Sequence, residues 1–246
     1  MSGHSKWANI KRTKEKVDAK RGKIFSKIGR EIIVAVRHGG PNPEANIRLK
    51  AVVQKARENN MPLDNINRAI ARASGGADSA NYEEITYEGY GPAGTAIIVE
   101  ALTDNRNRTA SDIRHYFSKY GGNLGETGCV GWMFKEKGLI IVEADQVKDE
   151  DAFMMKALEA GAEDVVNQED AFEVTCAPSE FESLKDGLTA AGYRISHAEV
   201  TKLPNTYVRL TGDDAVKMGK MLELLEEHDD VQNVYTNYES DEESEE

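Results

Sequence analysis

The sequence has little cysteine, little proline and no long apolar run. Its 246 residues hold two cysteines, Cys129 and Cys176, far apart and outside any CxxC pair. That spacing supports neither a disulfide framework nor a zinc ligand set, and a reducing, cytosolic setting fits it best. The longest unbroken aliphatic run, residues 32–36, is five residues long. A bilayer span needs about 20, so no membrane segment is expected. Residues 1–23 lack the apolar stretch of a secretory signal, and ten of them are charged. The five histidines, His4, His38, His115, His197 and His228, are scattered. HExxH, GxSxG, Walker and GxGxxG patterns are all missing. These absences point to a cytoplasmic protein with no catalytic residues, no metal, no cofactor and no small-molecule substrate.

What is present is charge, unevenly placed. The net charge is -12, from 31 Lys+Arg against 43 Asp+Glu. Residues 1–73 hold 17 cations and six acids, and so carry +11, while the rest of the chain carries -23. The cations crowd toward the start: Lys6, Lys11, Arg12, Lys14, Lys16, Lys20, Arg21, Lys23, Lys27 and Arg30, interrupted by Glu15 and Asp18. Residues 239–246 hold six acids. A basic arm on an acidic body is the footprint of nucleic-acid binding. Trp7 and Phe25 lie among the cations, as base stacking or cation–π contact would require. Two bland readings stand beside this one. Taken alone, the run is equally a solvated lysine-rich helix, from which the aromatics and the lack of a continuous apolar face over residues 1–22 tilt the reading away. Trp7 is equally a plug that docks the arm on the body.

Hydrophobic periodicity divides the chain. Phe25, Ile28, Ile32 and Val36 recur at helical spacing, as do Leu49, Val52, Val53 and Ala56, and then Ile66, Ala69, Ile70 and Ala73. Three short helices are expected over 24–76, started at Asn42-Pro43 and Asp64. Beyond Gly76 the pattern alternates strands and helices. Residues 95–102, 109–120 and 129–134 read as βαβ, with a capping box at Thr109-x-x-Asp112. Residues 138–201 read as β-α-β-β-α-β, the ferredoxin-like order. Residues 207–236 supply one more βαβ. The economical arrangement is an α+β protein. It has a basic N-terminal arm (1–23), a three-helix domain (24–76), a split ferredoxin-like domain (77–136 and 203–238), a second ferredoxin-like domain inserted in it (137–202) and an acidic tail (239–246).

Two further segments are candidate contacts. Residues 103–109 lead from a strand into a helix N-terminus, where free N–H groups with Arg106 and Arg108 suit a phosphate. An ordinary capped turn with two solvated arginines is the competing reading. Residues 121–128 contain four glycines, which permit positive φ or close backbone approach. Gly121, Gly122, Asn123 and Gly125 are therefore either a loop that touches a partner or a flexible hairpin.

The sequence resembles the YebC family, which includes the mitochondrial translational activator of cytochrome c oxidase subunit I. The resemblance lies in Gly3-His4-Ser5-Lys6-Trp7-Ala8-Asn9-Ile10 and Asp18-Ala19-Lys20-Arg21-Gly22-Lys23-Ile24-Phe25. It continues in Asn59-Asn60-Met61-Pro62, Tyr87-Glu88-Gly89-Tyr90-Gly91-Pro92, residues 103–109 and Gly121-Gly122-Asn123-Leu124. Cys129 departs from it, since the family more often has Ser there. The resemblance implies a helical N-terminal domain, two α+β domains and a non-enzymatic regulator of gene expression. Members are commonly described as probable DNA-binding transcriptional regulators, and others act in translation at the ribosome, some assisting synthesis at proline runs. The expected partner is thus nucleic acid, either DNA or ribosomal RNA, with the ribosome as a candidate. A protein-binding adaptor using its sheet faces is the alternative.

Overall fold

The first helix, α1 (Arg21–Gly39), owes its ending to two residues acting together. Gly40 takes φ +83° and its N–H closes on the Val36 carbonyl at 2.7 Å. Asn46, only 5% exposed, then serves two helices at once. Its amide donates to the carbonyls of Ala35 and Gly40, each at 2.8 Å, and its Oδ1 accepts the Leu49 N–H at 3.0 Å. Asn46 is therefore the N-cap of α2 (Ile47–Glu58), four residues after the Asn42-Pro43 signal. α3 (Leu63–Ser74) begins after Pro62 with no side-chain cap, and Asp64 lies inside its first turn. The three helices meet over Ile28, Ile32, Leu49, Val53, Ala56 and Ile66, all buried. These are the stripes that the periodicity marks out.

The chain is described here from a computed structural model that places residues 21–75, 81–168 and 170–240. It divides into two compact units. One takes the helices and the chain through Val130, together with Asp213–Val234, and the other takes Gly131–Gly212 and the chain from Tyr235.

In the first unit, β1 (Glu83–Tyr90) and β2 (Ala96–Thr103) form an antiparallel hairpin in full register, from Glu83↔Thr103 to Tyr90↔Ala96. α4 (Arg106–Lys119) leads to a two-residue strand, β3 (Asn123–Leu124), which pairs with the end of β1. α7 (Gly212–Glu227) leads to β9 (Val231–Thr236), and the sheet order is β3-β1-β2-β9. β1 has no counterpart in the sequence reading, because Glu83, Glu84 and Glu88 blur its alternation. Residues 129–134 are not a strand either. They form a turn and a single 3-10 turn, Gly131–Met133, before the next strand begins at Phe134.

The second unit holds β4 (Phe134–Glu143), α5 (Glu150–Glu159), β5 (Asp164–Asn167), β6 (Ala171–Cys176), α6 (Phe181–Ala190) and β7 (Ile195–Pro204). The sheet order is β5-β6-β4-β7 and each adjacent pair of strands is antiparallel. That is the ferredoxin-like arrangement of a β-α-β-β-α-β chain. The two helices pack on Ile140, Val142, Phe153, Phe172, Val174 and Leu184. The first unit shows the same spatial order, with β2, β3, β1 and β9 in the places of β4, β5, β6 and β7. Its third place is filled from upstream, by β1. β8 (Val208–Leu210), expected in that outer sheet, instead pairs in parallel with β10 (Tyr238–Ser240) as a separate ribbon. No helix among the described residues is long and apolar enough to cross a membrane.

Candidate nucleic-acid interface

The cations proposed from the sequence fall into three groups. Lys6, Trp7, Lys11, Arg12, Lys14, Lys16 and Lys20 lie outside the described residues, and Arg21 is placed only as the first backbone position of α1. Lys23, Lys27 and Arg30 form the second group. Their spacing puts them on one face of α1, and that face meets the C-terminal end of α7 within the same unit. Lys23 Nζ donates to the Glu227 carbonyl at 3.2 Å and Lys27 Nζ to the Glu226 carbonyl at 2.6 Å. Arg30 donates to the Asp229 carbonyl and, at 3.1 Å, to Asp230 Oδ1. Lys23 and Lys27 thus satisfy carbonyls at the negative end of a helix, where no intrahelical donor remains, and Arg30 one just beyond it. Burial lowers the Lys27 ammonium to about 8, against the pull of Glu226 and Asp229 and helped by the like charges of Lys23 and Arg30.

Asp230 organises this corner. It is 3% exposed. Its Oδ2 accepts from Arg108 at 2.9 Å, from the Thr109 hydroxyl at 2.7 Å and from the Thr103 hydroxyl at 3.2 Å. Burial alone would push this carboxyl up, but the hydrogen bonds from Arg108 and Thr109 and the charges of Arg108 and Arg30 hold it below its ordinary value. The His228 ring accepts the Asp230 N–H at 3.1 Å and lies 3.2 Å from Asp112 Oδ2. One carboxylate therefore joins α1, the end of β2, the start of α4 and the start of β9.

The segment at 103–109 is a capped turn. Asn105 is the N-cap of α4 and its Oδ1 accepts the Arg108 N–H at 3.1 Å. Thr109, expected to start the helix, is its fourth residue and turns its hydroxyl onto Asp230. Arg108 is held by Asp104 and Asp230, each at 2.9 Å. Arg106 is exposed and makes no ion pair among the described residues.

The glycine loop has structural reasons for its glycines. A Cβ on Gly122 would sit 2.5 Å from the Tyr90 carbonyl oxygen and 3.1 Å from Gly91 Cα, and one on Gly125 would sit 2.6 Å from Cys129 Sγ. Gly121 has φ +79°. The buried carboxylate of Glu88 anchors the loop, accepting the Gly128 N–H at 2.8 Å and the Val130 N–H at 2.9 Å. Gly121, Asn123 and Gly125 remain exposed along it.

Sequence reasoning missed Asp230 and Glu88. Each is one acid among 43, and no local spacing marks it. It also passed over Arg114 and Lys119, which are exposed on α4. Among the described residues no group of three His, Cys, Asp or Glu side chains could hold a metal ion.

The arrangement defines a mixed α+β protein, with a cationic helical N-terminal region followed by two four-stranded sheets of ferredoxin-like order. The chain belongs to the TACO1/YebC family. The model of the TACO1/YebC protein N-terminal domain matches residues 5–76, and that of the TACO1/YebC second and third domain matches residues 82–238. A protein of Pelotomaculum thermopropionicum, named a probable transcriptional regulatory protein, is 58% identical over 240 residues, covering 97% of this chain and 99% of its own. One of Clostridium tetani with the same name is 54% identical over 243 residues, covering 99% of each. The crystal structure of a conserved hypothetical protein from Aquifex aeolicus is similar at a TM-score of 0.80 and 47% identity, over 94% of this chain and 96% of that one.

Proposed function

We propose that this chain is a non-enzymatic, nucleic-acid-binding regulator of gene expression whose N-terminal basic arm makes the main contact. The relatives' name as transcriptional regulatory proteins supports a regulatory role. The observation that carries the binding reading is the charge asymmetry, +11 over residues 1–73 and -23 beyond. The structure adds a reason to weight residues 1–20. Lys23 and Lys27 are held by carbonyls at the end of α7, and Arg30 and Arg108 by Asp230, whereas Arg106 forms no ion pair among the described residues. An acidic body on a basic arm suits insertion into a large RNA–protein particle as well as binding to a duplex. Translation at the ribosome and transcription at DNA are thus two settings for one chemistry.

A titration over a salt series tests it, comparing the intact chain with residues 24–246. If about six cations meet phosphates, log K falls against log[salt] with a slope of about -4 to -5, and the truncated chain shows a much shallower slope. Co-sedimentation from lysate with and without RNase separates an RNA partner from a DNA one. Equal affinity and equal slope in the two chains would leave the arm as a solvated charge run and favour an adaptor that binds protein.

A further inference from the structure

Beyond the arm, one element of the acidic body has the wrong charge for its surroundings. Residues 74–246 hold 14 cations and 37 acids, yet the 14 residues of α4 hold Arg106, Arg108, Arg114 and Lys119 against the single acid Asp112. That acid lies 3.2 Å from His228 Nε2, and Arg108 is neutralised by Asp104 and Asp230. The helix buries Thr109, Ile113 and Phe117. Its opposite face presents Asn107, Ser111, Arg114, His115, Ser118 and Lys119, all exposed and with no carboxylate among them. These are the side chains that hold sugar and phosphate oxygens in nucleic-acid complexes: guanidinium, ammonium, hydroxyl and amide. Arg114 and Lys119 form no ion pair among the described residues. Lys119 Nζ lies 5.4 Å from the centroid of the Tyr120 ring, which pairs a cation with a half-buried aromatic at the end of the helix.

We propose that this outer face of α4, bounded by Arg114 on one edge and Lys119 on the other, is a second contact surface for a nucleic-acid phosphodiester backbone. The proposal rests on the nucleic-acid reading above, and it places on the first α+β domain a contact separate from the arm. Charge complementarity selects the partner. The face offers hydrogen-bond donors to a polyanion and offers a protein only a flat polar helix with no apolar anchor. Within a stretch of charge -23 it presents two cations, two hydroxyls and an amide to an approaching polyanion. Phosphates are met by the helix flank, so Asn105 keeps its capping role and the helix N-terminus is not the site.

The test uses the full chain. Arg114→Gln with Lys119→Gln removes two cations from exposed positions, and Ser111→Glu adds an anion to the same face without removing a cation. Lys148→Gln with Lys220→Gln is the charge-matched control, also at exposed positions. Each protein is titrated over a salt series with an RNA stem-loop and with a DNA duplex of the same sequence. The α4 double variant should shallow the salt slope by about 2, at about 0.9 per lost phosphate contact, and weaken binding several-fold at low salt. Ser111→Glu should weaken binding while the thermal midpoint stays at the wild-type value, and the control should keep the wild-type slope. Whichever nucleic acid shows the slope change identifies the partner. If both α4 variants bind as the control does, while truncation of residues 1–23 still abolishes binding, the second surface is overturned and the arm stands. If the intact chain binds neither RNA nor DNA, both readings fall.

Discussion

At the scale of single residues, the helical region is held by side chains that the sequence marks as ligands for something else. Lys27 is the clearest case. Its ammonium lies against the Glu226 carbonyl with its value lowered to about 8, from an unfolded value near 10.5. Between those two values the unfolded chain keeps the proton and the folded chain has lost it. Folded stability therefore rises with pH across that window. Lys27→Met removes the titration, so the wild type should gain about 1–3 kcal/mol relative to the variant between pH 8 and pH 10.5. Denaturant unfolding of both proteins through that range measures it, and other titrating groups cancel in the difference. Parallel curves would show that Lys27 stays solvated. Asp230 works in the opposite sense. Its carboxyl is held below the ordinary value, so its contribution is present above the unfolded value and fades as pH falls through the folded one.

At the scale of elements, the hairpin β1–β2 and the loop after α4 form one piece of architecture. β3 pairs Gly89 with Leu124 and Tyr90 with Asn123, and Phe117 of α4 lies under Gly89, whose Cβ would be 2.7 Å from its ring. Backbones pass too closely there for any side chain. Gly122→Val should accordingly destabilise the first α+β domain by about 1–3 kcal/mol or more, because the clash is with backbone that cannot swing away. Thermal unfolding together with amide exchange at Gly125 and Gly128 would report it. The second reading given to these glycines, contact with a partner, needs a different measurement. It predicts that cellular activity falls further than the loss of folded protein explains. A variant of normal stability and normal activity would remove both roles. In the same element, Asn105 caps the turn at 103–109 and Asp104 and Asp230 hold Arg108, so of the two arginines proposed for a phosphate there Arg106 is the one that remains exposed and without an ion pair among the described residues.

At the scale of the whole molecule, the nested arrangement has a specific expectation. Glu136 pairs with Lys202 and Lys137 with Thr201 across β4 and β7, so the two ends of residues 137–202 are neighbours in one ladder. Replacing 137–202 by a short Gly/Ser linker should leave a cooperatively unfolding remainder, because the linker need span only one strand spacing, about 5 Å. Calorimetry on that chain decides it. A broad, non-cooperative transition would show that the inserted segment is part of the outer domain's core.

The sequence by itself determined the α+β class, the three helical stripes, the ferredoxin-like order of 138–201 and the charge asymmetry. Each is a property of local order along the chain. A stripe such as Ile28, Ile32 and Val36 can bury itself only as a helix, and a strand-helix rhythm with no apolar run to spare can close only as layered α+β. The tertiary structure decided what depends on residues far apart. It added β1 to the outer sheet, removed 129–134 and 208–210 from it, and moved the start of α2 to Asn46 and that of α4 to Asn105. It turned Lys23, Lys27 and Arg30 onto α7, roughly 200 residues away, because the carbonyls at a helix end and a buried Asp230 need donors wherever the fold brings them. Charge in a sequence shows how much a segment attracts anions. Only the folded chain decides which anion, its own or a partner's, each cation meets.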